Sequence, residues 1–263
     1  MKGSPDISSL IHSTAIVDCN ANLGRNISIG PYSIVEKGAV IQDNCNIGSH
    51  VTIKSVARIG KECQIFQGAI IGEIPQDLKF EGEETTIEIG DGTTIREFCT
   101  LNRGTKATGK TSIGKEVLLM AYVHLGHDCY IGDKCILANG ISLGGHVEIG
   151  YHVTIGGHTP VHQFCKIGDH AFIGGSYRVV QDIPPYILVT GEPLKYAGIN
   201  SIGLRRRGFS KGTRSQIKKA YQFIYRSGLN VTHATDKIKN ELELTPEIQT
   251  ILNFIENSTR GLV

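Results

Sequence analysis

An aliphatic residue recurs at every sixth position along most of this chain. Within residues 117–163 the series is unbroken and consists of Leu119, Leu125, Ile131, Leu137, Leu143, Ile149, Ile155 and Val161. The same step starts at Val17 and, with two interruptions, continues to Val179. An amphipathic helix needs three or four apolar residues in every two turns, so this spacing excludes a helix. The repeat instead predicts short strands separated by turns.

Strands of this kind fit a parallel β-helix with three faces to a coil, so that 18 residues complete one coil. The region from Val17 to Val179 then predicts roughly eight coils, which share one core. Burial of each inward aliphatic contributes about 1.5–3 kcal/mol. Six of the seven cysteines lie two positions before an aliphatic, in a slot that alanine also occupies. We interpret them as buried apolar residues, and not as disulfides or zinc ligands.

Two stretches leave the repeat without changing its phase. Residues 72–86 read GEIPQDLKFEGEETT, and residues 102–110 read NRGTKATGK. Because the repeat resumes in phase after each of them, we expect two loops that protrude while the coils continue. Loops held on a rigid scaffold often carry binding groups.

The repeat ends near Pro184 and Pro185, and helical spacing follows. It is formed by Ile217, Ala220, Tyr221, Ile224 and Tyr225, and again by Ile248, Ile251, Leu252 and Ile255. Thr245 and Pro246 have the pattern of an N-cap followed by proline at the first helical position. We therefore predict a mainly β chain, with a β-helix domain over residues 1–190 and a small helical domain over residues 191–263.

Composition restricts the location and the partners. The formal net charge is only +2, no apolar run reaches membrane-spanning length, and the N-terminal MKGSPDISS has no apolar signal core. These features predict a soluble cytoplasmic protein. Nine Lys and Arg residues but no Asp or Glu lie between Pro193 and Thr235, and three arginines are consecutive at 205–207. This region is either a solvated helix face or a patch for a phosphorylated or acidic partner. Nucleic acid is disfavoured because no aromatic stacking pattern accompanies the basic residues.

Stacking converts sequence separation into proximity, because residues 18 apart lie on successive coils about 4.8 Å apart. His127 then lies under Gly145, and Asp128 lies under His146. A polar group is predicted on one side of three coils: His124, His127, Asp128, His146, His162 and Gln163. Three interpretations remain open: surface histidines, a metal site, or general acid–base catalysis. The last fits best, because a carboxylate lies beside a histidine. No Ser or Cys with a partnered base stands out as a nucleophile.

The chain resembles the UDP-N-acetylglucosamine O-acyltransferase family of lipid A biosynthesis. The resemblance is carried by GEIPQDLKFEGE, VHLGHDCYIGDKCILANG, LGGHVEIG, PVHQFCKIG, FIGGS, VVQDIPPY, GLRRRGFS, IYRSG and STRGLV. It implies a left-handed β-helix and transfer of a 3-hydroxyacyl group from acyl carrier protein to the 3-hydroxyl of UDP-N-acetylglucosamine. It also implies a cytoplasmic homotrimer in a Gram-negative-type bacterium, with sites between neighbouring β-helices and with neither metal nor cofactor.

The resemblance assigns roles to individual residues. His127 would be the general base, Asp128 would orient a neighbouring group, and the Gly145 amide would stabilise the oxyanion. The remaining residues implied to hold substrate are Asp77, Lys79, His124, His146, His162, Gln163, Gly175, Asn200, Arg206 and Arg207. Among them, Gly175 matches the position that sets acyl-chain length, and the last three would bind phosphates. Ile202 departs from the family, which often has Glu at this position.

Two alternatives remain. The related N-acyltransferase of the same pathway normally has a further N-terminal domain, for which we expect no room because the repeat begins by residue 17. A non-catalytic sugar-nucleotide-binding or scaffold protein would keep the repeat but would not need His127.

Overall fold

The computed structural model describes residues 10–263. Within that range the chain forms a parallel β-helix of three sheets, followed by four α-helices. The prediction that the N-terminus lacks a signal core concerns MKGSPDISS, residues 1–9, which lie outside the described range. No helix found between residues 10 and 263 is both long and apolar enough to cross a membrane.

The strands are short, and most contain two residues. The first eleven are β1 (Leu10–Ile11), β2 (Ile16–Val17), β3 (Asn22–Leu23), β4 (Ser28–Ile29), β5 (Ile34–Val35), β6 (Val40–Ile41), β7 (Asn46–Ile47), β8 (Thr52–Ile53), β9 (Ala57–Ile59), β10 (Gln64–Ile65) and β11 (Ile70–Glu73). Next come β12 (Thr86–Ile89), β13 (Thr94–Ile95), β14 (Thr100–Asn102), β15 (Lys110–Ile113), β16 (Leu118–Leu119), β17 (His124–Leu125), β18 (Tyr130–Ile131) and β19 (Ile136–Leu137). The last are β20 (Ser142–Leu143), β21 (Glu148–Ile149), β22 (Thr154–Ile155), β23 (Pro160–Val161), β24 (Lys166–Ile167), β25 (Phe172–Ile173), β26 (Ile187–Thr190) and β27 (Lys195–Ile199).

Every third strand belongs to the same sheet, as a three-sided coil requires. Sheet A has eleven strands in the order β1-β4-β7-β10-β13-β16-β19-β22-β25-β26-β27. Sheet B has eight, β2-β5-β8-β11-β14-β17-β20-β23, and sheet C has eight, β3-β6-β9-β12-β15-β18-β21-β24. Strand β1 lies one step before Val17 and so extends the repeat toward the N-terminus. The predicted three-faced parallel architecture is confirmed.

Register shows where the coils are interrupted. Ser112 pairs with Tyr130, 18 residues later, as predicted. Ile70 pairs with Thr100, so the first loop lengthens its coil by 12 residues, since 30 − 18 = 12. Thr100 pairs with His124, so the second loop adds 6, since 24 − 18 = 6. These loops, residues 74–85 and 103–109, both leave the end of a sheet B strand and return to sheet C. They therefore protrude at the same corner.

The aliphatic column forms the core of the β-helix. From Ile29 to Val179 every inward aliphatic is at most 3% exposed, whereas Val17 and Leu23 are half-buried near the N-terminal end of the described coils. The six cysteines in the small-residue slot are buried and free, as predicted. Since their side chains fill the interior, the chemistry must lie on the outer surface and at the corners.

The helical segment continues from the last coil. Strand β26 runs parallel to β25, and β27 returns antiparallel to β26, beyond the predicted domain boundary at residue 190. The helices are α1 (Ser201–Arg206), α2 (Lys211–Arg226), α3 (Val231–Glu241) and α4 (Pro246–Glu256). The helical spacing is confirmed in α2 and α4, and Thr245 caps α4 by accepting from the Ile248 amide. The boundary between two domains stays a prediction.

Candidate active site

His127 and Asp128 lie at the turn that follows β17. Asp128 has a left-handed backbone with φ 60°, a conformation that Asp adopts more readily than most residues. The turn brings the Asp128 carboxylate back to its neighbour, so that Oδ2 lies 2.7 Å from Nδ1 of His127. The next coil places Nε2 of His146 at 3.6 Å from the same oxygen. The predicted stacking of Asp128 beneath His146 is therefore present.

The carboxylate of Asp128 is inaccessible to solvent and is surrounded by donors. The amide of Thr105 donates to Oδ1 at 2.9 Å, the hydroxyl of Thr105 donates to Oδ2 at 2.7 Å, and the hydroxyl of Thr108 also donates to Oδ1. Burial opposes ionisation, but the hydrogen bonds from Thr108, His127 and Thr105 outweigh it and lower the pKa of Asp128 to about 2. Asp128 is thus a fixed anion beside the imidazole.

Gly145 lies directly over the ring of His127. A Cβ atom on Gly145 would come within 2.6 Å of Cε1 and 2.7 Å of Nε2 of that ring. Only glycine allows the backbone to approach this closely. Throughout residues 10–263, no acceptor lies within hydrogen-bonding distance of the Gly145 amide, whereas its carbonyl accepts from Phe164. The site therefore combines an imidazole held by a carboxylate with an adjacent free N–H group.

These groups open into a cavity of about 480 Å³ between the turns and the two loops. Its lining consists of Gln76, Asp77, Lys79, Glu83, Thr105, Lys106, Ala107, His127, His146, Gln163 and Phe164. The structure therefore brings Asp77 and Lys79 from the first loop to the predicted histidines. The amide of Lys79 donates to Oδ1 of Asp77 at 3.0 Å, which stabilises the turn that presents both residues.

Sequence reasoning missed several residues of this site. Thr105 and Thr108 lie in a loop outside the repeat, and spacing could not place them against Asp128. Phe164 could have been found, because it follows His146 by one coil. Its ring stacks on that imidazole with centroids 4.6 Å apart and planes within 8°. The stacking limits rotation of His146.

Two of the predicted histidines lie beside the cavity and do not line it. His124 is on β17, where its Nδ1 is 2.8 Å from the hydroxyl of Thr100, and burial lowers the pKa of its imidazole. His162 is exposed, and its Nδ1 lies 3.1 Å from the carbonyl of Gln163. Both are near the site along the chain. In this single chain neither contributes to the lining of the cavity.

A second cavity of about 700 Å³ lies between sheet A and the start of the helical segment. It is lined by Ile136, His152, Thr154, Phe172, Leu188, Ile199, Asn200, Ser201, Ile202, Gly203, Arg206 and Arg207. The lining has two guanidinium groups and no carboxylate. Ile202 is 60% exposed at this cavity, where the family often has Glu. One chain does not bring Arg206 or Arg207 into the cavity of His127.

Asn200 supports this second cavity from within. Its Oδ1 accepts from the amide of Gly203 at 3.1 Å and caps α1, while its Nδ2 donates to the carbonyl of His170 at 2.9 Å. Gly175 lies on a further turn, against the backbone of Gly157: a Cβ on Gly175 would be 3.2 Å from that carbonyl oxygen. The predicted stacking of Gly175 on Gly157 is present.

A metal ion is the competing interpretation of the first cavity. His127, Asp128 and His146 offer ligand atoms that lie within 4.8 Å of one another. Both oxygens of Asp128, however, already accept hydrogen bonds from the threonines and from Nδ1 of His127. A shared metal would have to break these bonds. The donor set fits a carboxylate–imidazole pair better than a metal centre.

Comparison with family models gives two matches. Residues 182–263 match the model described as UDP N-acetylglucosamine O-acyltransferase, domain 2. Residues 20–55 and 110–140 match the bacterial transferase hexapeptide model.

Similarity to named proteins extends over nearly the full chain. A protein of Paracidovorax citrulli named acyl-[acyl-carrier-protein]–UDP-N-acetylglucosamine O-acyltransferase is 51% identical, over 97% of this chain and 99% of its own length. One of the same name from Halorhodospira halophila is 46% identical, over 96% and 98%. The solved UDP-N-acetylglucosamine acyltransferase of Bacteroides fragilis 9343 superposes with a TM-score of 0.95 at 45% identity, over 97% of this chain and 100% of the other.

Proposed function

The chain belongs to the UDP-N-acetylglucosamine O-acyltransferase family, and from this premise we propose that it transfers a 3-hydroxyacyl group from acyl carrier protein to the 3-hydroxyl of UDP-N-acetylglucosamine, the first step of lipid A biosynthesis. One observation supports the chemistry most directly. The His127–Asp128 pair lies under the unpaired amide of Gly145, in a cavity that both protruding loops border.

In this mechanism His127 is the general base. The Asp128 carboxylate accepts the Nδ1–H of His127 at 2.7 Å, which leaves Nε2 unprotonated and directed to the side of Gly145. Nε2 removes the proton of the sugar 3-hydroxyl as its oxygen attacks the thioester carbonyl carbon. A new C–O bond forms, and the C–S bond then breaks. The proton held by His127 passes to the departing phosphopantetheine sulfur, so the imidazole is restored.

The Gly145 amide supplies the second element of this mechanism. As the thioester carbonyl becomes tetrahedral its oxygen gains negative charge, which an unpaired backbone N–H next to the base can stabilise. His146, Gln163, Asp77 and Lys79 line the same cavity and would orient the two substrates. No covalent acyl-enzyme is needed, because acceptor and donor meet in one cavity.

The separation of the two cavities supports a proposal about assembly. Arg206 and Arg207 line the cavity on sheet A, whereas His127 follows a strand of sheet B. We propose a homotrimer in which the His127 cavity of one subunit faces the arginine cavity of a neighbour. Mixing the inactive variants His127→Ala and Arg206→Ala should then restore part of the activity. Proven mixed trimers without any recovered activity would show that each site belongs to one chain.

The function is tested by mass spectrometry of product formed from 3-hydroxyacyl carrier protein and UDP-N-acetylglucosamine. We expect O-acylated sugar nucleotide with the wild-type chain, and turnover lower by about 10² to 10⁴-fold with His127→Ala. His50→Ala is the matched control, because His50 occupies an exposed turn in the N-terminal coils, where it stacks on Tyr32. Near-normal turnover of folded His127→Ala would refute the assignment of the base. Absence of product with the wild-type chain would refute the function.

A further inference from the structure

Behind Arg207 lies a buried histidine that no part of the proposed mechanism uses. His170 is 8% exposed, and its Nδ1 is 3.1 Å from Nη1 of Arg207. Arginine has donors only, so the imidazole nitrogen must be the acceptor in this contact. His170 is absent from the lining of the second cavity, whereas Arg207 is part of it. The imidazole therefore holds the guanidinium from the side away from the cavity.

The His170 ring is itself tightly held. It stacks on Tyr186 with centroids 5.7 Å apart, and the edges of Phe209 and Tyr151 contact it at centroid distances of 5.0 and 5.3 Å. Its backbone carbonyl accepts from Nδ2 of Asn200 at 2.9 Å. A ring fixed on several sides can fix the group bonded to it. The position of Arg207 is thus linked to the coil and to the start of α1.

The charge on Arg207 lacks a partner of opposite sign. Of the ion pairs formed within the described part of the chain, none includes Arg206 or Arg207. Burial, the Arg207 charge and His152 together lower the pKa of His170 to about 4, so the imidazole remains neutral at neutral pH. A neutral acceptor orients the guanidinium without neutralising it. The cation stays available to an anionic ligand in the cavity.

We propose that His170 is a positioning residue, which through its hydrogen bond to Arg207 directs that guanidinium toward a phosphate group of the substrate. This inference rests on the proposed function. The phosphate belongs either to the UDP of the acceptor or to the phosphopantetheine of the donor. Four N–H groups of Arg207 remain after the bond to His170, which is enough for a two-point contact with phosphate.

The chain offers a substitution that separates the hydrogen bond from the packing. His170 has a left-handed backbone with φ 58°, and the same conformation holds Phe98 and Phe164 at other turns of the β-helix. His170→Phe should therefore keep the turn and the ring contacts while removing the acceptor. His170→Asn returns an acceptor near Nδ1, and Asn tolerates this backbone well. His50→Phe, at φ 56°, is the same exchange in a turn remote from both cavities.

The experiment measures kcat, the KM for each substrate, and calorimetric binding of UDP. For His170→Phe we expect the KM of one substrate to rise about tenfold, with kcat changed by less than about twofold. A rise for UDP-N-acetylglucosamine with weaker UDP binding identifies the acceptor phosphate, and a rise for the acyl carrier protein alone identifies phosphopantetheine. His170→Asn should restore most of the loss. His50→Phe should match wild type.

A double variant decides whether His170 acts through Arg207. In the Arg207→Ala background, His170→Phe should have no further effect on KM. Additive effects, or an unchanged KM for both substrates in folded His170→Phe, would overturn the inference while leaving the proposed function standing. If the wild-type chain transfers no acyl group but binds UDP in a His170-dependent manner, the proposed function fails and the inference stands. Absence of UDP binding together with absence of activity overturns both.

Discussion

Thr105 is bound twice to Asp128: its amide donates to one carboxylate oxygen at 2.9 Å, and its hydroxyl donates to the other at 2.7 Å. The threonine belongs to a loop that interrupts the repeat, and the aspartate belongs to a turn of the next coil. The loop therefore does more than border the cavity. It fixes the anion that holds His127, and so it determines where the base points.

Replacing Thr105 with Val should weaken this arrangement while keeping the side-chain shape. One hydrogen bond to the carboxylate is lost, and Asp128 becomes a less well fixed partner for His127. We expect kcat to fall by about tenfold with little change in thermal stability. Thr52→Val on β8 is the matched control, since Thr52 lies in earlier coils away from the cavity. Unchanged kcat in Thr105→Val would show that the amide bond alone holds Asp128.

Gly145→Ala tests the close approach to the imidazole. The added methyl group would lie 2.6 Å from Cε1 of His127, so the ring or the backbone must shift. A shift of this kind misaligns base and amide together, and we expect turnover to fall about 10²-fold. Gly212→Ala in α2 is the control, because its methyl group would meet only Ser210 Oγ, at 3.6 Å. Circular dichroism and Tm establish that both variants fold. Full activity of Gly145→Ala would exclude Gly145 as the oxyanion donor.

Gly175 should limit the length of the acyl chain. Each methylene excluded from a groove loses roughly 0.8 kcal/mol of burial, so Gly175→Met should favour a donor several carbons shorter. The β-carbon itself would be 3.2 Å from the carbonyl oxygen of Gly157, which requires a small local adjustment. Gly175→Ala carries the same adjustment without the longer side chain, and it should keep most of the original preference.

Competition between 3-hydroxyacyl donors of graded length, with product identified by mass spectrometry, measures this preference. If both Gly175 variants lose stability and all activities in parallel, the glycine serves backbone geometry alone. Unchanged preference in a folded Gly175→Met variant would also contradict the assignment.

His170 should make stability depend on mildly acidic pH. Its ordinary pKa of 6.5 is lowered to about 4 by burial, by Arg207 and by His152, while its other ring neighbours Tyr151 and Tyr186 are uncharged in this range. As pH falls from 6.5 towards 4, the unfolded chain takes up the proton before the folded one does. The contribution of His170 to the free energy of unfolding therefore declines across that window, by up to about 3 kcal/mol.

The Tm of wild type and of His170→Phe, measured from pH 7.5 to 4, tests this dependence. Wild type should lose more stability than the variant as the pH is lowered, and His50→Phe should follow wild type. Parallel curves for wild type and His170→Phe would show that His170 is not kept neutral by the fold.

The repeat by itself determined the coil, the inward column and part of the site. Because residues one coil apart must lie one above the other, His127 under Gly145 and Asp128 under His146 follow from counting, and the same count could have found Phe164. The helices of the C-terminal segment were equally accessible, since the buried positions of α2 and α4 follow helical spacing.

Only the tertiary structure decided the rest. Thr105 and Thr108 reach Asp128 from a loop outside the repeat, where no period relates position to contact. Arg207 meets His170 across 37 residues, because docking of the helical segment onto the last coils depends on the packing of many side chains at once. The distribution of predicted substrate residues over two cavities, on different sheets, likewise depends on which corner each segment reaches. A periodic sequence specifies contacts along the period, and folding in three dimensions specifies those between segments that share none.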